Sequence, residues 1–254
     1  MSTWVLLRGL MRERRHWGEF PAVLGAALPQ ARILTPDLPG NGRLHRMSSA
    51  TDVGQMVEFC RRDLAAQGHA APYHILALSL GGMVAVEWAA RYPDEIAALV
   101  LINTSMRPFS RFYRRLRWQN YWAILGMAAR GGVARQESLI LRLSSNDGAA
   151  RAAQLPRWIG YQREYPVARA NAWRQLWAAA RYRAPPQRPA PPMLVLASRA
   201  DRLVDAACSR RLAGHWRAEC HVHPSAGHDL PLDDGAWIAA RVQAWIGAAR
   251  LDIK

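Results

Sequence analysis

A chain of 254 residues, half of them hydrophobic, is long enough to close one large α/β core and excludes a disordered protein. No apolar run reaches the ~18 residues of a membrane span, and the short stretch Trp4–Leu7 followed by Arg12, Arg14 and Arg15 has the wrong order for a secretory signal, so a cytoplasmic location is expected. The formal charge of +15 comes from 33 arginines and Lys254 against 19 acids, and it is regional: between Thr104 and Ala190 there are 16 arginines and three acids (Glu137, Asp147, Glu164), whereas the rest of the chain nets only +2.

In chain order, Trp4–Arg8, Arg32–Thr35, Tyr73–Leu78 and Ala97–Ile102 are short β-rich apolar runs, mostly of the kind buried on both faces of a sheet. Between them, Phe20–Leu28, Val53–Gln67 and Gly81–Tyr92 read as helices. The last carries Val84, Trp88 and Tyr92 at helical spacing, and Pro93 ends it. Repeated strand–helix–strand units predict a parallel sheet with helices on both faces.

At Thr104 the pattern changes. Residues 104–190 are basic, aromatic and helical in period, without a convincing strand, and end in a stiff run containing Pro185, Pro186, Pro189, Pro191 and Pro192. Alternation then resumes with a strand over Met193–Ser198, a helix near Asp205–His215, a strand over Glu219–His223 and a helix over Gly235–Ala249. This predicts one α/β core, residues 1–103 and 191–254, carrying a helical insertion, residues 104–190. Neither half of the sheet could close a core alone.

The segment Ala77-Leu78-Ser79-Leu80-Gly81-Gly82 joins a buried strand to a helix. Such a turn exposes the serine hydroxyl above the sheet and needs small neighbours, here Ala77 and Gly81. A hydroxyl also needs a base. His228, in Ala226-Gly227-His228-Asp229, lies between the last strand and the last helix, over the same sheet edge. His221 and His223 are two apart on one strand face, and His16, His45, His69, His74 and His215 read as surface or capping residues. Asp201 follows the penultimate strand, where a carboxylate would orient the imidazole. The order Ser79, Asp201, His228, each at a strand's carboxyl end, fits nucleophile, orienting acid and base. Cys60, Cys208 and Cys220 lack metal-ligand spacing and read as buried free thiols; neither metal nor cofactor is expected.

From Trp4 to about Ala249 the chain resembles the α/β-hydrolase superfamily. Leu6-Leu7-Arg8-Gly9-Leu10 looks like its oxyanion-loop motif, Asp37-Leu38-Pro39-Gly40-Asn41-Gly42 like its Asp-x-Pro-Gly-x-Gly turn, and Arg91-Tyr92-Pro93-Asp94 like its helix-end signature. The resemblance implies a three-layer fold, an oxyanion hole formed by the backbone N–H groups of Leu10 and Leu80, and a lid formed by the insertion. Two departures stand out. Arg8 replaces the histidine usual before the first glycine. The family's N-terminal antiparallel hairpin has no room here, so a six-stranded, mainly parallel sheet is expected with Arg32–Thr35 at its edge.

The resulting expectation is a serine esterase acting through an acyl-enzyme on a small-molecule or acyl-ester substrate. Carbon–carbon hydrolysis or lyase chemistry on an anionic substrate, with the same three residues, is the alternative among enzymes; a non-catalytic ligand receptor on the same fold is the alternative from another class. The basic insertion is expected to suit an anionic carrier protein or membrane surface rather than nucleic acid, and its aromatics (Phe109, Phe112, Tyr113, Trp118, Tyr121, Trp122, Trp158, Tyr161, Tyr165, Trp173, Trp177) either line an apolar pocket or pack the insertion onto the core.

Overall fold

Strict alternation of apolar side chains across two buried faces builds the sheet. In the computed structural model, which describes residues 2–122 and 132–248, six strands run in parallel: β1 (Ser2–Leu7), β2 (Ala31–Leu34), β3 (Tyr73–Leu78), β4 (Ile96–Ile102), β5 (Met193–Ser198) and β6 (Glu219–His223), in the order β2-β1-β3-β4-β5-β6. β2 is an edge strand, and among the described residues β1 is the first strand in chain order. The six strands are those expected from the sequence, shifted at their ends by two residues or fewer. β1 stops at Leu7, because Arg8 already belongs to the loop beyond.

Period-2 alternation sends Val5, Leu7, Ile75, Ala77, Leu99, Leu101 and Val195 to one face and Trp4, Leu6, Leu76, Leu78, Val100, Ile102 and Leu194 to the other. The first face packs on α2 (Val53–Ala66), α3 (Leu80–Arg91) and α8 (Ala207–Trp216), through Val57, Val84, Trp88 and Leu212. The second packs on α1 (Phe20–Ala27) and α9 (Leu230–Ala248), through Leu24, Ile238 and Val242. Asp52 caps α2 by accepting from the Gln55 N–H. A break at Asp234 divides α9, and the Asp234 carboxylate accepts from the Trp237 N–H at 2.9 Å, so the long helix restarts at Gly235 as its sequence pattern indicates. Its expected last residue, Ala249, lies outside the described residues.

The chain from Asn103 to Pro192 holds α4 (Phe112–Arg115), α5 (Val133–Ser144), α6 (Gly148–Glu164) and α7 (Arg169–Arg181), with residues 123–131 outside the described ones. Its two ends meet in one parallel bridge, Arg107 to Arg183, where the Ala184 N–H donates to the Arg107 carbonyl at 2.7 Å. β1 has β2 on one side and β3 on the other. The chain therefore changes direction across the sheet at the β1/β3 boundary, where open α/β sheets form their crevice beyond the strands' carboxyl ends. Among the described residues no helix is long and apolar enough to cross a membrane.

Candidate active site

Ser79 is the first residue after β3 and has φ +57° and ψ −115°, a backbone conformation that L residues rarely adopt. The turn is held from both sides. The Ser79 N–H donates to the Ile102 carbonyl at 2.9 Å, and the Ser79 carbonyl accepts from the Gly82 N–H at 3.0 Å and the Thr104 hydroxyl at 2.8 Å. The glycines that follow are required by close approach. A Cβ on Gly81 would sit 2.3 Å from the Leu7 carbonyl oxygen, and one on Gly82 would sit 2.7 Å from Thr104 Oγ1. The Ser79 side chain is half-buried, and its hydroxyl makes no hydrogen bond among the described residues.

Asp201 and His228 come together across two loops. The His228 Nδ1 lies 2.7 Å from Asp201 Oδ2, with both side chains buried. The other carboxylate oxygen accepts from the N–H groups of Leu203 (2.7 Å) and Val204 (2.9 Å). With one oxygen anchored to backbone and the other facing the ring, Nδ1 carries the proton and Nε2 is left as the basic nitrogen. Burial pulls the imidazole's pKa down, but the Asp201 charge, its hydrogen bond and the Asp229 charge outweigh burial and Arg8, and hold it above the ordinary histidine value.

The loop after β1 passes beside Ser79: a side chain at Gly9 would meet Ser79 Cβ at 3.2 Å. Met11, at φ +56°, turns the loop, and its N–H donates to Gln175 Oε1 at 2.8 Å. Among the described residues the Leu10 N–H makes no hydrogen bond, and Leu80, as the first residue of α3, has no intrahelical partner for its own. Both donors expected for an oxyanion hole therefore sit on segments that border Ser79.

Arg8 is buried rather than solvated. Its Nη1 donates to Asp229 Oδ1 at 3.1 Å and its Nη2 to Asp229 Oδ2 at 2.6 Å, while the guanidinium lies 4.8 Å from the Trp17 ring centre. Asp229 is thus held by Arg8. Asp233 is held by Ser145, the Asn146 N–H and the Gly227 N–H. Asn103, just after β4 at φ +45°, donates to the carbonyls of His228 (2.9 Å) and Gly227 (3.3 Å). Neither the Arg8 pair nor Asn103 was found from sequence. The only signal was an arginine in place of the expected histidine.

Of the histidines read as surface or capping residues, His16 and His74 are buried. His16 accepts from Arg12 through Nε2, because a guanidinium can only donate; burial and then the neighbouring arginines hold its pKa well below the ordinary value, so the ring is neutral. His74 stacks on Trp4 with ring centres 5.0 Å apart. His221 meets Glu219 at 2.6 Å, and His223 meets Asp234 at 3.2 Å. Cys60 and Cys208 are buried, and burial drives the Cys60 thiol up to about 12; Cys220 is only half-buried because β6 is the other edge of the sheet.

Among the aromatics of residues 104–190, some are packed against the chain and others are exposed. Trp158 is buried, with the Arg12 guanidinium 4.6 Å from its ring centre, and Arg15 lies over Tyr161 and Tyr165. Phe112, Trp118, Trp122, Trp173 and Trp177 are exposed. Arg12 also donates to the buried Glu137 at 2.8 Å, and Arg15 pairs with Glu164. The loop beside Ser79 is therefore fastened to α5, α6 and α7.

A model of the α/β hydrolase fold family matches residues 5–235. Over 103 residues, 41% of the chain, the sequence is 31% identical to the pimeloyl-[acyl-carrier protein] methyl ester esterase of Chromobacterium violaceum; the aligned region spans only 37% of that relative. An esterase from the thermophile Thermogutta terrifontis superposes with a TM-score of 0.72 at 20% identity, covering 98% of this chain and 90% of that one. The 2-hydroxy-6-oxo-6-phenylhexa-2,4-dienoate hydrolase of a Rhodococcus species superposes with a TM-score of 0.77 at 19% identity, covering 98% and 90%. At these identities the superpositions establish the fold alone.

Proposed function

The chain belongs to the α/β hydrolase fold family, and from that premise we propose that it is a serine hydrolase cleaving a carboxylic ester through an acyl-enzyme. One observation carries the reading: the buried 2.7 Å contact between His228 and Asp201, at the sheet end where Ser79 occupies its positive-φ turn.

In this reading Ser79 Oγ attacks the ester carbonyl while His228 Nε2 takes its proton, and Asp201 stabilises the imidazolium that forms. The oxygen that becomes negative is met by the N–H groups of Leu10 and Leu80, each such donor contributing about 3 kcal/mol. Collapse of the tetrahedral intermediate expels the alcohol, which leaves with the proton from His228. Water, deprotonated by the same ring, then releases the acid and frees Ser79.

The segment over residues 104–190 serves in this reading as a lid. The partly matching relative acts, by its name, on a methyl ester of a carrier-bound acyl group. A comparable substrate here, an acyl ester presented by an acidic carrier protein, agrees with the +13 charge of that segment.

The test is a fluorophosphonate probe together with a panel of acyl esters of graded chain length. Labelling at Ser79, and loss of both labelling and turnover in Ser79→Ala, are expected. Labelling elsewhere, or an unimpaired variant, would sink the assignment. Labelling at Ser79 with no turnover of any ester would favour carbon–carbon cleavage of an anionic substrate.

A further inference from the structure

Arg8 and Asp229 have backbones that flank two different parts of the proposed machinery and side chains that close on each other. Arg8 precedes Gly9 and Leu10, and its carbonyl oxygen lies so near the nucleophile helix that a Cβ on Gly81 would approach it to 2.8 Å. Asp229 directly follows His228, and its N–H donates to the Ser144 carbonyl at 2.7 Å. The two side chains are buried and joined by two parallel hydrogen bonds of 3.1 and 2.6 Å, while Arg8 Nε has no partner among the described residues. All of the guanidinium's hydrogen bonding is therefore directed at Asp229. A fork of this kind fixes both distance and orientation, which a single point contact does not.

We propose that Arg8 and Asp229 form a positioning pair that locks the oxyanion loop to the base-bearing loop and balances the charge around His228. The inference rests on the roles given above to Ser79 and His228. Its mechanical half follows from the geometry: the loop carrying the Leu10 N–H and the loop carrying the imidazole can shift relative to one another only by breaking the fork. Misplacement of about 1 Å between such groups costs on the order of 100-fold in rate.

The electrostatic half follows from the charges that face the ring. The charges with the largest effect on it are Asp201 from the loop after β5, Asp229 from the histidine's own loop and Arg8 from the loop after β1; Asp229 raises the basicity of His228 and Arg8 lowers it. Removing either member therefore unbalances the ring in a direction set by the member that remains.

The experiment compares Arg8→Gln, Arg8→Lys, Asp229→Asn and the apolar double variant Arg8→Met/Asp229→Leu with wild type. The readouts are kcat and KM on a p-nitrophenyl ester across pH and the His228 titration by nitrogen-correlated NMR of the folded protein. Arg8→Gln leaves Asp229 uncompensated, so the midpoint should move to higher pH; Asp229→Asn leaves Arg8, so it should move to lower pH, each by about half a unit or more. Arg8→Lys keeps the charge but not the fork, so the midpoint should stay while kcat falls about 10-fold with KM nearly unchanged.

A role confined to stability would reduce activity only in proportion to the folded fraction and leave the titration of the folded molecules at the wild-type midpoint; that result would overturn the proposal. If a single charge removal prevents folding, the double variant and Arg8→Lys decide, because a matched apolar pair replaces a buried ion pair without leaving a lone charge. Wild-type kcat in those two variants would likewise overturn it. If wild type itself turned over no ester and Ser79 were not labelled, the hydrolase reading would fail, while the opposed NMR shifts would still test the pair.

Discussion

Asn103 donates to the backbone carbonyl of His228 at 2.9 Å, and so ties the loop carrying His228 to the end of β4, one residue beyond the carbonyl that receives the Ser79 N–H. The same amide reaches Ser198 Oγ at 3.0 Å and accepts from the Ser198 N–H at 2.7 Å. One side chain thus joins the ends of β4 and β5 to the histidine loop. Asn103→Ala would leave buried groups of Ser198, Gly227 and His228 without their partner, a loss of about 1–3 kcal/mol in unfolding free energy. kcat should fall about 10-fold through the freed loop. Urea denaturation and ester turnover measure the two effects; an unchanged kcat would mean that other contacts place the loop.

The pH dependence has a definite sign. His228 must be neutral to accept a proton, and its pKa is held above the ordinary histidine value. kcat/KM should therefore fall as pH drops through that raised value, with the acid limb above the roughly 6.5 of an unperturbed imidazole. Asp201→Asn removes the charge and the acceptor that favours the Nδ1–H form, and should lower kcat about 10,000-fold with the fold intact. A limb below 6.5, or an active Asp201→Asn, would contradict the assignment.

The buried pair Arg12–Glu137 carries a second expectation. Its two side chains meet at 2.8 Å between the loop beside Ser79 and α5. Glu137→Ala leaves the Arg12 guanidinium buried without its carboxylate, which costs about 3–5 kcal/mol. Chemical denaturation should show that loss, and limited proteolysis should cut within residues 132–164 first. Stability within 1 kcal/mol of wild type would mean that Arg12 finds water instead.

Salt dependence tests the charged segment. Arg115 is unsuitable as a docking residue, since its guanidinium donates to the carbonyls of Ala179 and Ala180, and Arg114 pairs with Asp205 at 3.3 Å. Arg163, Arg169 and Arg174 are exposed. Replacing these three by glutamine should reduce kcat/KM for an acyl ester carried by an acidic protein at least several-fold at low salt, while a short neutral ester is unaffected. Added salt should produce the same selective loss in wild type, because screening acts within about 8 Å at physiological ionic strength. Equal responses from both substrates would withdraw carrier docking.

The strands, their parallel arrangement and the turn at Ser79 were legible in the chain itself, because each depends on local pattern. Val5, Leu7, Ile75 and Ala77 alternate with Trp4, Leu6, Leu76 and Leu78 within single runs, and the small residues Ala77 and Gly81 flank a serine between a strand and a helix. Asp201 and His228 could be located by their places after successive strands, but their 2.7 Å contact belongs to the assembled sheet. Tertiary structure alone decided where the charged and polar side chains went. Arg8 and Asp229 are 221 positions apart, and Arg12 and Glu137 are 125 apart. Nothing in a run of arginines distinguishes one that is solvated from one that is buried against a carboxylate. Hydrophobic periodicity is written residue by residue along a strand, whereas the partner of a buried charge is chosen only when distant segments close over it and water is excluded.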